Sequence, residues 1–183
     1  SPKEAAETMK FIRDESNRLG LDMLQFGASF NKFAAAVDPK LIDKAGIKEI
    51  FSGVAEGVTA FSLTAEESGF VYRALTQIAS KGKVSMEEVR RQMAEQMPNA
   101  LRLFAAGMGV SVEKFEEMAK QGKLISQEVL PKFARAMHNE VLPVLDEMTD
   151  NMQANQNRMN NAFKTMADQL FKSGLNKAVT AFF

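Results

Sequence analysis

The sequence predicts an all-α fold, in which a compact bundle of short helices is followed by a long, polar helical extension at the C-terminus. Apolar residues recur at intervals of three and four, as in Met23, Phe26, Phe30, Phe33 and Val37, which is the period of a helix that buries one face. Helix-starting and helix-ending residues bound these segments. The strict alternation of apolar and polar residues that indicates strands is nearly absent.

The same period extends through the chain, with apolar stripes at Ile47–Phe61, Val71–Ala79 and Leu101–Met108. The connections are short, which favours neighbouring helices packed as a bundle. The predicted helices span residues 3–19, 21–37, 40–45, 47–61, 65–81, 86–96, 98–108, 112–121 and 127–141, and a long final helix begins at Pro143.

Hydroxyl residues predict where helices start. Ser1, Thr64 and Ser85 are each followed three positions later by Glu, which is typical of a capping box. Ser111 and Ser126 precede segments with Glu in the first turn, so we expect them to be N-caps that accept from free backbone N–H groups.

Glycine and proline mark the remaining helix boundaries. Gly82 and Gly122 follow periodic segments and are predicted to end helices in the left-handed conformation, which glycine adopts without cost. Pro39, Pro98 and Pro131 suit first-turn positions, because proline lacks the N–H that is unpaired there in any case.

The composition excludes several classes of protein. The 183 residues include 23 Lys and Arg against 23 Asp and Glu, and a net charge of zero argues against a dedicated nucleic-acid binder. Cysteine is absent, which excludes disulfides, zinc–cysteine sites, iron–sulfur clusters and a cysteine nucleophile. The apolar runs are far shorter than the roughly 18 residues that span a membrane. Neither a membrane segment nor a specific nucleic-acid partner is therefore predicted.

The pattern of polar residues predicts neither an enzyme nor a metal or other cofactor. The single histidine, His138, has no second ligand at metal-binding spacing, so we expect it to be a polar residue on a helix surface. Acidic pairs in first helical turns are explained by the helix dipole. Arg90 and Arg91 are interpreted as part of a solvated helix face.

Two segments, 81–85 and 121–126, share a Gly-Lys-apolar pattern that ends in Ser, at a period of 40 residues. A phosphate-binding loop is not predicted, because helices precede both segments and an apolar residue follows each lysine. Two copies are also too few to indicate a helical solenoid. Both are therefore interpreted as the end of one helix and the start of the next.

The composition changes near residue 148, and we expect a helical domain at 1–148 and an extension at 149–183. Residues 149–161 contain five Asn and two Gln, which predicts an extended, poorly packed helix. Met148, Met152, Met159 and Met166 are spaced by 4, 7 and 7 residues, which is compatible with a heptad stripe. Two interpretations remain open: an exposed helix whose few methionines touch the domain, or a seam for self-association.

The segment Ala74–Arg90 resembles the N-terminal domain of tape measure proteins of tailed bacteriophages and prophages, in which a helix ends in Ser-Lys-Gly-Lys-Val and is followed by Glu-Glu-Leu-Arg. Further short matches follow in the same order and spacing, from roughly residue 11 to residue 175. The positions that carry the resemblance are Ser80, Lys81, Gly82, Lys83, Val84, Glu88, Arg90, Pro98, Met108, Gly109, Val110, Gly122, Lys123, Leu130 and Pro131.

The resemblance implies a structural, non-enzymatic protein of the phage tail. Tape measure proteins are long, mostly helical chains inside the tail tube, and their length sets the length of the tail. The implied partners are tube subunits, the tail initiator or baseplate, and an assembly chaperone. The implied locations are the virion tail and, during assembly, the bacterial cytoplasm. On this interpretation the chain is one part of a protein several times longer.

An alternative from another class stays open. Neutral charge and the abundance of methionine also permit a soluble helical protein-binding module, such as a secreted effector or a chaperone-like domain. A fragment of a cell-wall-degrading enzyme is a third interpretation, which no sequence pattern supports.

Overall fold

The computed structural model describes residues 1–172, apart from the side chains of Met152 and Leu170, and confirms the all-α fold. Within these residues the chain forms eight α-helices and one π-helix. They are α1 (Pro2–Leu19), α2 (Met23–Ala36), α3 (Lys44–Ala60), α4 (Ala65–Lys81), the π-helix (Glu87–Met93), α5 (Ala100–Gly107), α6 (Val112–Lys120), α7 (Ser126–Met148) and α8 (Met152–Lys172). The end of the predicted extension, residues 173–183, lies outside the described residues.

Helix α3 lies at the centre of the bundle, and its most extensive contact is with α7. Helices α1, α2 and α4 also pack together around the core, while α5 packs on α7 and on α6. Nearly every residue from Ile50 to Thr59 of α3 is buried, which makes α3 the helix that the others surround.

An aromatic cluster fills the core between α2, α3 and α4. Phe51 lies at its centre, with ring centroids 5.2 Å from Phe26, 5.4 Å from Phe30 and 5.8 Å from Phe33. Tyr72 stacks on Phe51 at 4.7 Å. Tilted, edge-on and stacked contacts of this kind add to the energy of burial, so the apolar stripes predicted for these helices converge on one ring system.

A second aromatic group joins α5, α6 and α7. Phe104 stacks on Phe133 with centroids 3.7 Å apart and lies 5.8 Å from Phe115. All three side chains are fully buried. The second half of the domain is therefore organised around α7, as the first half is around α3.

Glycines allow α3 and α7 to approach closely. A Cβ added at Gly53 would lie 2.7 Å from the carbonyl oxygen of Ala134, and one at Gly57 would lie 2.6 Å from Sδ of Met137. The backbone of α7 and a buried side chain therefore occupy the space that larger residues on α3 would need.

Most of the predicted helix caps are confirmed. Ser1 and Thr64 form capping boxes, and the Ser111 side chain accepts from the N–H of Lys114. Gly82 and Gly122 adopt φ values of 71° and 66°, the left-handed conformation expected of them.

Two predicted caps are wrong. Ser85 directs its hydroxyl to the carboxylate of Glu88, and the following segment is a π-helix rather than an α-helix. Ser126 is the first residue of α7 and not its cap, because its N–H donates to the carbonyl of Gly82 at 3.0 Å. At Ser85 a bond to a side chain three residues later takes the place of the predicted cap, and at Ser126 a tertiary bond to Gly82 does so.

Two predicted boundaries are also wrong. Residues 39–41 form a turn, and α3 begins at Lys44 instead of following a separate helix. Helix α7 continues through Pro131 and Pro143 to Met148, so neither proline occupies a first turn. Pro143 leaves the carbonyl of Asn139 without a helical donor, but both residues are exposed and water can supply the bond.

Helix α8 turns back onto the domain, so the prediction of an extended helix at 149–161 is wrong, although most side chains in this segment are exposed, as its amide content predicts. Residues 149–151 form a turn, and α8 then packs against α1. Asn161 is fully buried. Its side-chain N–H group donates to the carbonyl of Leu21 at 2.9 Å, and its oxygen accepts from the N–H of Met23 at 3.0 Å.

Other polar residues of α8 bind the same corner between α1 and α2. The Asn157 amide donates to the carbonyl of Gly20 at 2.8 Å, and Arg158 donates to the carbonyl of Asn17 at 3.0 Å. Gly20, with a φ of 68°, faces buried Ala154 so closely that any Cβ there would overlap it. Two of the seven amide side chains at 149–161, Asn157 and Asn161, thus attach this helix to the domain, while the other five are exposed.

We expect Gly53→Ala to destabilise the domain by about 1–3 kcal/mol, because the new methyl group meets the rigid backbone of α7. Urea unfolding of the two proteins measures the change. Gly69→Ala on α4 is the matched control, since nothing lies within 4 Å of the added Cβ. It should be neutral or raise stability by up to about 1 kcal/mol through helix propensity. Equal effects of the two changes would contradict the close approach of α3 and α7.

We expect Asn161→Ala to loosen α8, because buried backbone groups of the α1–α2 corner lose their partners, at a cost of about 1–3 kcal/mol. Hydrogen exchange should show reduced protection of α8 amides while α3 stays protected. The neighbouring Asn160 is exposed, so Asn160→Ala should leave the exchange pattern unchanged. Unchanged protection of α8 in the Asn161 variant would refute the docking.

Candidate functional site

The two Gly-Lys segments lie side by side in the structure. Lys83 and Ile125 form an antiparallel β-bridge, and the N–H of Val84 donates to the carbonyl of Leu124 at 2.9 Å. This is the one β-bridge among the described residues. The loop that follows α4 is therefore hydrogen-bonded to the loop that precedes α7, although 40 residues separate them in the sequence.

The Gly-Lys-apolar pattern places its three residues in the same environments in both loops. Each glycine turns the chain out of its helix, and the lysine that follows it, Lys83 or Lys123, is exposed. The next residue, Val84 or Leu124, is buried in the core. The prediction that both segments are connections between helices is confirmed. Their pairing joins the two halves of the domain.

A buried carboxylate fixes the first loop. Glu88 is 1% exposed and accepts from Nζ of Lys81 and from the hydroxyl of Ser85. Burial alone raises the pKa of this carboxyl, but the two hydrogen bonds favour its charged form more strongly and hold the pKa below its ordinary value. The same pairing raises the pKa of Lys81. Glu88 thus stabilises the segment 82–88 through two partners, Ser85 within the segment and Lys81 directly before it.

Arg90 connects the π-helix to α6 by an ion pair with Glu116. The side chain is exposed, as predicted, but it has a partner in the domain and is not only solvated. Val89 and Met93 on the other side of the π-helix are fully buried.

The remaining motif positions occupy helix connections and a shallow cleft. Pro98 lies in the turn before α5, and Met108, Gly109 and Val110 form the turn after it, where Gly109 has a φ of 68°. Ser80, Gly82 and Leu130 line a cleft of about 200 Å³ between the ends of α2 and α4 and the start of α7. Pro131 follows inside α7.

A hydrogen-bonded cluster that sequence reasoning missed connects α1, α3 and α7. The buried Glu56 accepts from Arg18 at 2.7 Å, and its second oxygen lies 2.6 Å from Nδ1 of His138. His138 thus lies on the surface of α7, as expected, and is also paired with Glu56. Glu56 lies within the apolar run of α3, and nothing in the sequence marks it as the partner of residues 38 positions before it and 82 positions after it.

The predicted methionine stripe is divided between two helices. Met148 ends α7, is partly buried and contacts the hydroxyl of Ser62 through Sδ at 3.8 Å. Met152 begins α8, and its side chain lies outside the described part. Met159 and Met166 are 55% and 51% exposed on α8, so both interpretations of the stripe stay open.

Within residues 1–172, no group of three or more histidines and carboxylates is arranged to hold a metal ion. In the same part of the chain, no helix has both the length and the apolar character needed to span a bilayer.

We expect Glu88→Gln to lower the free energy of unfolding by about 1–3 kcal/mol at neutral pH, because it removes the charge that binds Lys81 and Ser85 in a buried position. The adjacent Glu87 is exposed, so Glu87→Gln should change stability by less than about 0.5 kcal/mol. Thermal or urea unfolding measures both.

Measuring the free energy of unfolding at acid pH tests whether the charge of Glu88 stabilises the fold. A carboxyl whose pKa is lower in the folded state stabilises the protein above its ordinary pKa of 4.5, and this contribution is lost as the pH falls through the folded value. The difference in stability between the wild type and Glu88→Gln should therefore shrink below pH 4.5. A difference that stays constant from neutral to acid pH would show that the charge of Glu88 does not stabilise the fold.

Comparison with known proteins shows the family to which the chain belongs. A family described as "Tape measure protein" matches residues 1–172. The chain is also 28% identical over 134 residues to the probable tape measure protein of Salmonella phage Felix O1 (isolate Felix O1-VT1). That similarity covers 73% of this chain and 18% of the phage protein, so the chain spans less than a fifth of this relative. No solved structure matches significantly. Because the family match extends over all helices from α1 to α8, the chain belongs to the tape measure protein family.

Proposed function

We propose that this chain is a non-enzymatic structural domain of a phage tail tape measure protein, and that it acts in tail assembly through protein–protein contacts. In this role it is part of a longer chain whose length determines the length of the tail. It resides in the virion tail, and in the cytoplasm of the bacterial host during assembly. The observation that carries the proposal is the family match over residues 1–172.

The positions and contacts of the motif residues in the fold support a structural role. Gly82 and Gly122 end helices, and Val84 fills the core between them. The charged motif residues Glu88 and Arg90 are neutralised by partners within the domain. These residues stabilise the connections between helices, which is what a rigid part of a larger assembly requires.

The proposed partners are tube subunits, the tail initiator or baseplate, and an assembly chaperone. A groove of about 590 Å³ between α1, α2 and α3 supports contacts with proteins. Its lining includes the apolar residues Met9, Ile12, Phe30 and Ile47, and Met9 is largely exposed. A groove of this kind can accept an apolar segment of another chain.

The same groove favours the second candidate, a soluble helical protein-binding module such as a secreted effector or a chaperone-like domain. The genes beside the parent gene separate the two functions. Neighbouring genes for tail tube and baseplate proteins support the tail function, and their absence supports the binding module.

In-frame deletions in the parent gene, outside the part that encodes this chain, should shorten the phage tail. The expected change is proportional to the number of residues removed, at about 1.5 Å per residue where the deleted segment is helical. Electron microscopy of purified particles measures tail length. Phages with silent substitutions at the same sites are the control. Viable particles with tails of unchanged length would overturn the proposed role in length determination.

A further inference from the structure

A small cleft of about 200 Å³ lies between α2 and α4. Its lining is mostly polar or basic and consists of Ser29, Lys32, Gly69, Tyr72, Arg73 and Thr76. Each of the two helices contributes one cation to the cleft. None of these residues is among the positions that carry the family resemblance, so the helix connections described above do not explain why the cleft is basic.

Both cations of the cleft lack an anionic partner in the described part of the chain. Helix α2 contains no Asp or Glu between Met23 and Ala36, and α4 carries Glu66 and Glu67 only in its first turn. Lys32 and Arg73 are exposed, and neither forms an ion pair within residues 1–172. Two positive charges therefore line the cleft, and no described carboxylate neutralises them.

The aromatic ring of Phe70 holds one of these cations in place. The guanidinium carbon of Arg73 lies 5.5 Å from the centroid of the Phe70 ring, which is a cation–π contact. This contact orders the Arg73 side chain without neutralising its charge, so its N–H groups stay available to an anion. Ser29 adds a hydroxyl that can donate to the same anion. A side chain that is already ordered loses less conformational entropy when it binds a partner.

Gly69, on the α4 side of the cleft, is not required by the packing of the domain. It lies in the interior of α4, where glycine is the least favourable residue apart from proline. Among the glycines of the described part, it is the only one that neither adopts a positive φ nor has an atom within 4 Å of an added Cβ. Open space beside a helix backbone, next to two cations, leaves room for another molecule to approach α4 closely.

We propose that the cleft between α2 and α4 binds an acidic segment of a partner protein, whose carboxylates bind Lys32 and Arg73 and whose chain passes over Gly69. Hydrogen bonds from cationic side chains to carboxylates are among the strongest that proteins form. A nucleic acid fits less well, because its binders neutralise many phosphates, whereas this cleft offers two cations on a chain with a net charge of zero. The inference rests on the proposed role in protein–protein contacts and assigns a surface to it.

Fluorescence anisotropy of a labelled peptide of glutamate and alanine, titrated with the 183-residue chain, tests the cleft. We expect saturable binding that weakens about fivefold to tenfold in the double variant Lys32→Gln, Arg73→Gln, because two charge-assisted contacts are lost. The double variant Arg91→Gln, Lys120→Gln is the matched control, since it removes an exposed Arg and an exposed Lys outside the cleft. It should leave the affinity within about twofold of the wild type, because charges far from the cleft are screened by salt.

Gly69→Leu tests the space in the cleft while both cations remain. The new side chain meets no atom near its Cβ and fills the cleft, so binding of the glutamate peptide should weaken at least about fivefold. Because leucine favours a helix more than glycine does, the variant should unfold at a higher urea concentration than the wild type. Weaker binding then does not come from a loss of fold. Ala28→Leu is the control, since Ala28 is exposed on α2 and does not line the cleft.

Reversal of the charges provides a gain of function. The double variant Lys32→Glu, Arg73→Glu should bind a labelled peptide of lysine and alanine in place of the glutamate peptide. A wild-type chain that does not bind the glutamate peptide would contradict the proposal, and so would equal losses in the cleft variants and their controls. Tighter binding of single-stranded DNA than of the glutamate peptide, lost in the same variants, would assign the cleft to a nucleic acid instead. Tail-length measurements test the proposed function separately, so the binding experiments can fail while that function stands.

Discussion

The close packing of α3 on α7 is the contact on which the rest of the structure depends. Gly53 and Gly57 carry no side chain, so the backbones of the two helices can approach each other closely. Helix α3 carries Phe51 to the centre of the first aromatic cluster, and α7 carries Phe133 to the second. Because the interior of a protein is as dense as an organic crystal, the spacing of these two helices determines where both clusters lie.

The hydrogen bonds between the two Gly-Lys loops support the packing of α3 on α7 at the start of α7. The loop after α4 and the loop before α7 share backbone hydrogen bonds, so the start of α7 is held by the chain that leaves α4. Glu88, bound by Lys81 and Ser85, fixes the first loop. At the other side of α3, Glu56 joins Arg18 of α1 to His138 of α7. Several charged residues of this chain, which has a net charge of zero, thus form contacts between helices.

Helix α8 shows that amide side chains can attach a helix as well as solvate it. Asn157 and Asn161 satisfy backbone carbonyls where the chain turns between α1 and α2, and these groups would otherwise lack partners. The consequence is an apolar surface on the outside of the domain.

The sequence by itself determined the helical class, most helix positions and the caps at Ser1, Thr64 and Ser111, because these depend on residues within one or two turns. It also identified the two Gly-Lys loops as helix connections. Only the tertiary structure decided that these loops pair, that Glu56 binds His138, and which face of α8 turns outward. Those outcomes depend on groups brought together from 40, 82 and more than 130 residues away. A local pattern carries no information on such contacts, and at Ser126 one of them, the bond from its N–H to the carbonyl of Gly82, stands where a local cap is predicted.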